Sequence, residues 1–104
     1  AWLHETNLTY ASFKEANLEQ AILQNAILDY ANLQNANLSS ADLRNVSLLK
    51  TKVLDADLTN ARVNETFERD ATQQLNKDQS EWLFSNFEVV EIDDDHYQLL
   101  PIDN

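Results

Sequence analysis

The residues with the most chemistry to offer form one short run, Asp93-Asp94-Asp95-His96, three carboxylates and an imidazole of the kind that ligate a cation. The run lacks the spacing and the glycine of a metal-binding loop, and like charges this close read as a solvated turn. The other histidine, His4, lies almost the whole chain away. Cysteine and glycine are both absent, which removes disulfides, thiolate metal sites and glycine-rich phosphate loops together. No nucleophile elbow, HExxH pair or paired-carboxylate cleft is present. The sequence therefore offers no catalytic residue, no metal ligand and no cofactor site, and reads as a non-enzyme. Asn-x-Ser/Thr triplets at Asn7, Asn37, Asn45 and Asn64 match the glycosylation acceptor pattern, which a chain rich in Asn and Ser produces by chance.

What must position any surface group is a five-residue unit repeated thirteen times. An apolar residue recurs every fifth position: Leu3, Leu8, Phe13, Leu18, Leu23, Leu28, Leu33, Leu38, Leu43, Leu48, Val53, Leu58 and Val63. Two places before each stands a small or β-branched residue, from Ala1 to Ala61, with Thr6, Val46 and Thr51 replacing alanine. On an α-helix this spacing would smear the apolar stripe around the whole surface, because each step of five turns the residue by about 140°. A continuous strand would send alternate members to opposite faces. Only a chain that turns within every unit puts the whole series inside, and without glycine its positive-φ corners fall to Asn25, Asn35, Asn45 and Asn60.

The units Ala16-Asn17-Leu18, Ala31-Asn32-Leu33, Ala36-Asn37-Leu38, Ala41-Asp42-Leu43 and Ala56-Asp57-Leu58 resemble the pentapeptide-repeat family, with its A-(D/N)-L-x-x consensus. That resemblance implies an all-β fold, a right-handed quadrilateral β-helix with four units per square coil. About three coils would form a short column, at about 4.8 Å per stacked strand, whose ends need caps. Residues twenty apart should then stack, giving an outward ladder of Tyr10, Tyr30 and Lys50 and another of Trp2, Ile22, Asp42 and Arg62.

The expected organisation is a repeat domain over 1–68 and an acidic capping segment over 69–104. In the latter, Asn76 and Gln79 suggest a capping-box start for a helix over Lys77–Phe87, and Glu88–Ile92 with Tyr97–Pro101 suggest a hairpin. Trp82, Leu83, Phe84 and Phe87 are the candidate cap over the end near Leu58 and Val63; a homodimer through the same segment is the competing use. The net charge of −11 is concentrated there, and with only seven Lys and Arg the chain is not expected to bind nucleic acid directly. No apolar run approaches membrane-spanning length, so membrane insertion is not expected.

The chain opens inside a repeat without an initiator Met and reads as a piece of a larger bacterial protein, a cyanobacterial one being the narrower option, with the cytoplasm slightly favoured over other compartments. The preferred function is a scaffold or protein-interaction module for an unidentified protein partner, with Trp2, Tyr10, Ile22, Ile27 and Tyr30 as the candidate partner surface, although for these residues ladder stacking alone is the reading the sequence favours. Two further readings follow from the resemblance: a DNA mimic that binds type II topoisomerases such as gyrase, and a repeat domain appended to a signalling enzyme such as a protein kinase. Phe13 is the only central Phe, and the repeat region is only mildly acidic, both departures from the DNA-mimic members.

Overall fold

The computed structural model describes residues 2–102, so Ala1 and the final Asp103 and Asn104 of the tail lie outside the described residues. Each five-residue unit but the last closes on a four-residue turn in which the small residue donates its N–H to the carbonyl of the apolar residue three places back, as Ala11 does to Leu8 at 2.9 Å. Where that residue is alanine the bond is 2.9–3.0 Å; at Thr6, Thr51 and Val46 it stretches to 3.3, 3.2 and 3.5 Å. A β-branched side chain needs more room inside the turn than a methyl does, and the turn opens to give it.

The third residue of every such turn has φ between 51° and 65°, at each fifth position from Glu5 to Asn60. That is the signature of a type II turn, which ordinarily requires Gly or Asn there. Asn25, Asn35, Asn45 and Asn60 do occupy four of these corners, but Glu5, Tyr10, Glu15, Gln20, Tyr30, Ser40, Lys50 and Asp55 occupy the others. Neighbouring backbone bonds hold those eight in a conformation that costs about 1–2 kcal/mol for a residue with a Cβ.

After every twenty residues the backbone pairs with itself in parallel: Trp2 with Ile22, Ile22 with Asp42 and Asp42 with Arg62, and likewise Asn7–Ile27–Ser47, Ser12–Asn32–Lys52 and Asn17–Asn37–Asp57. These four ladders stack three circuits of chain. Leu23, Leu28 and Leu38 are fully buried between them, and Leu18, Leu33, Leu43, Leu48, Val53, Leu58 and Val63 are buried as well. Leu3, Leu8 and Phe13 belong to the outermost circuit, covered on one side only, and are partly buried.

The all-β expectation, and with it the closed right-handed quadrilateral β-helix, is corrected by the regular elements. The repeat forms isolated one-residue bridges and only the two-residue strand β1 (Arg62–Val63); the remainder folds as α1 (Phe67–Gln74), α2 (Lys77–Asn86), β2 (Phe87–Asp93) and β3 (His96–Pro101). The result is a small mixed α/β domain with two short helices and an open three-stranded antiparallel sheet in the order β1-β3-β2. The physical reason is that a unit spending its residues on a turn leaves one residue per ladder to pair, too few for a strand of ordinary length.

The helices and sheet seal the last circuit. The Gln74 carbonyl accepts the Lys50 N–H at 2.8 Å and its side-chain Oε1 accepts the Leu48 N–H. Gln79 Oε1 accepts the Val53 N–H at 2.7 Å, and the Leu99 carbonyl accepts the Asn60 N–H at 2.8 Å while Leu99 donates to Ala61 at 2.9 Å. Beneath these bonds Phe67, Ala71, Leu75, Leu83, Phe87 and Leu99 are buried, with Trp82 and Phe84 partly buried against the same core. Asn76 precedes α2 but makes no side-chain cap bond, so the anticipated capping box does not form: Gln79 is turned instead to the repeat. Position 68/69, the expected domain boundary, lies within α1.

Candidate functional site

The outward surface is built by the corner residues and by the residues that pair in the ladders. Because Tyr10 and Tyr30 hold equivalent corners in successive circuits, their rings stack with centroids 5.0 Å apart at 18°. Tyr10 is 73% exposed and Tyr30 40%, so the pair stands out from the molecule rather than into it. Ile27, three residues before Tyr30, and Leu49, in the turn before the Lys50 corner, are exposed beside them. Leu49 is not among the candidate surface residues read from the sequence.

Trp2 and Ile22 belong to a different ladder from Ile27. Trp2 is exposed and meets His4 edge-on at 4.7 Å, while Ile22, paired on both sides by Trp2 and Asp42, is half-buried. The five candidates thus divide into Trp2 with Ile22 on one ladder, Ile27 on the next and the two tyrosines on the corner after it.

Polar groups along the ladders are mostly spent on the fold. Asn7, Asn17, Asn32 and Asn37 each accept the backbone N–H two residues on, at 2.9–3.1 Å. Asp42 holds Arg44 through two bonds, Nε to Oδ1 at 2.9 Å and Nη2 to Oδ2 at 2.7 Å. Burial pushes the Asp42 carboxyl up, but the Arg44 hydrogen bonds and charge, with the charge of Arg62, outweigh it and hold the carboxyl below its ordinary value. Partial burial and the nearby Glu65, Glu91 and Asp95 carboxylates push the Tyr97 hydroxyl up.

In the β2–β3 turn, Asp95 takes a φ of 58° and Asp93 lies 3.7 Å from His96 Nδ1. Among the described residues no group of three or more His, Cys, Asp or Glu is placed to hold a metal ion. A cavity of about 160 Å³ opens between the last circuit and α1, with Val46 and Leu48 in its wall and Asn64, Asp70 and Gln74 supplying polar atoms. No helix among the described residues is long and apolar enough to cross a membrane.

The sequence matches the family model "Pentapeptide repeats", in eight copies, over residues 3–39 and 26–64. The chain belongs to the pentapeptide-repeat family. Several solved structures are similar to it, among them the following two. HetL, a pentapeptide repeat protein involved in heterocyst differentiation regulation from the cyanobacterium Nostoc sp. strain PCC 7120, is 35% identical, covering 59% of this chain and 31% of HetL, with a TM-score of 0.40. A pentapeptide repeat protein from the Arabidopsis thaliana thylakoid lumen is 23% identical, covering 74% of this chain and 63% of that one, with a TM-score of 0.30. The match thus spans less than two thirds of either protein. None of the curated proteins compared matches the chain.

Within this pentapeptide-repeat chain, Gln74 is a side chain that sequence reasoning missed, and Gln79 is one that it assigned to a capping box rather than to the last circuit. The only local signal was their polarity in a segment otherwise expected to cover apolar residues, and nothing local says which amides they meet.

Proposed function

We propose that this pentapeptide-repeat chain is a non-catalytic protein-interaction module that meets its partner through the Tyr10–Tyr30 corner and the adjoining Ile27. The observation carrying this reading is the exposed tyrosine stack itself, 5.0 Å between centroids. Two aromatic rings held on a hydrogen-bonded corner lose little further conformational freedom when a partner covers them, which is what makes tyrosine effective at interfaces. Exposed Ile27 and Leu49 extend the apolar area beside them. The DNA-mimic reading is served less well, because Lys50 and Lys52 interrupt the acidity of this side.

The test replaces Tyr30, and separately Gln20 at a corner of another ladder, with a photo-activatable phenylalanine in cells that make the protein. A discrete protein adduct at Tyr30 and none at Gln20 is expected. Equal labelling at both positions, or none at either, would remove this surface as the contact.

A further inference from the structure

All four lysines of the chain, Lys14, Lys50, Lys52 and Lys77, stand on the side of the molecule that carries the tyrosine pair. Lys50 follows Tyr10 and Tyr30 on the same corner, and Lys52 continues the Ser12–Asn32 ladder, with Lys14 in the turn that leaves it. Lys77 lies between Gln74, which accepts the Lys50 N–H, and Gln79, which accepts the Val53 N–H, and so tops the same side. All four are exposed, and none forms an ion pair among the described residues. Two of the three arginines behave differently: Arg44 is held by Asp42 and Arg69 by Asp70.

Four acids border the lysines: Glu15 and Asp55 at the next corner, Asp29 in the preceding turn and Asp78 beside Lys77. Asp29 already accepts the Ser47 hydroxyl and the Leu49 N–H. This side is therefore neutral, and the whole net charge of −11 resides on the remainder. Surface charges are screened over about 8 Å at physiological salt, well short of the 23–31 Å dimensions of the molecule. A short anionic segment lying on the lysines would feel them and little of the acidic far side, whereas a long polyanion or an anionic membrane would meet both.

Building on the proposed interaction surface, we infer that its partner supplies an acidic peptide segment, with carboxylates on Lys14, Lys50 and Lys52 and apolar side chains against Tyr10 and Tyr30. Such a contact pairs charges at short range and weakens with salt.

Fluorescence anisotropy with a labelled peptide of alternating Glu and Leu, and its Gln-for-Glu counterpart, tests this. The Glu peptide should bind and the Gln peptide should not, with affinity falling between about 50 and 200 mM salt. Lys50→Glu combined with Lys52→Glu should weaken binding by about tenfold or more, while Arg69→Glu leaves it unchanged. A thermal melt of the doubly substituted protein checks that these exposed changes leave the fold intact. No binding of the Glu peptide, equal binding by the doubly substituted protein, or preferential capture of an oligonucleotide or anionic vesicle would overturn the inference. If the peptide fails while the adduct at Tyr30 persists, only the acidic chemistry of the partner falls; if both fail, the interaction surface falls with it.

Discussion

The side-chain Oε1 of Gln79 accepts the backbone N–H of Val53 at 2.7 Å, across twenty-six residues of sequence and inside the buried seam between α2 and the last circuit. Gln79→Leu keeps the bulk but leaves that amide without an acceptor. The expected loss is about 1–3 kcal/mol, read from urea unfolding. An unchanged midpoint would mean that the bond contributes nothing to sealing this end.

Depth within the stack should decide the cost of trimming the apolar series. Leu33 is buried between circuits, and Leu33→Ala should cost about 2–5 kcal/mol by leaving a cavity. Leu3, in the outermost circuit, is already partly exposed, and Leu3→Ala should cost about 1 kcal/mol. Equal losses would contradict the one-sided cover of the first circuit.

Glycine should stabilise this glycine-free chain at a corner and destabilise it one residue earlier. Gln20 has a φ of 61°, whereas Glu19 does not enter the positive-φ region. Gln20→Gly relieves the Cβ strain and should raise stability by about 1 kcal/mol; Glu19→Gly only adds freedom to the unfolded chain and should lower it by about 0.5–1 kcal/mol. Thermal melts of the two variants should shift in opposite directions.

Acid should weaken the fold through Asp42. Its carboxyl is held below the ordinary value, so the folded state binds this proton more weakly than the unfolded state. The contribution is complete above the unfolded value of about 3.9 and is lost as pH falls through the lower folded value. In Asp42→Asn that part of the acid sensitivity should vanish, together with about 1 kcal/mol of stability at neutral pH. Chemical unfolding at a series of pH values compares the two proteins.

Much of the repeat was legible because its signal is local and recurs. The resemblance to the repeat family implied stacking every twenty residues, as for Leu18 and Leu38, and the bridges from Asn17 to Asn37 lie at that step. Other features were legible only in part. Asn25 marked its corner, but Tyr30 and Lys50 hold equivalent corners that their own preferences oppose, because bonds from adjacent circuits fix the backbone there. The tyrosine stack could be anticipated from the four-unit coil that the resemblance implied, whereas the gathering of Lys77 with Lys50 and Lys52 depended on how α2 docks.

The sequence alone determined the five-residue period, the inward apolar series and the membership in a repeat family, since each is a property of neighbours along the chain repeated many times. Tertiary structure decided the mixed α/β class, the use of Gln74 and Gln79 as acceptors for the last circuit, and the placement of Lys77 on the side of the tyrosines. Those outcomes depend on contacts between segments tens of residues apart, where the placement of one helix, rather than any local preference, selects the partner.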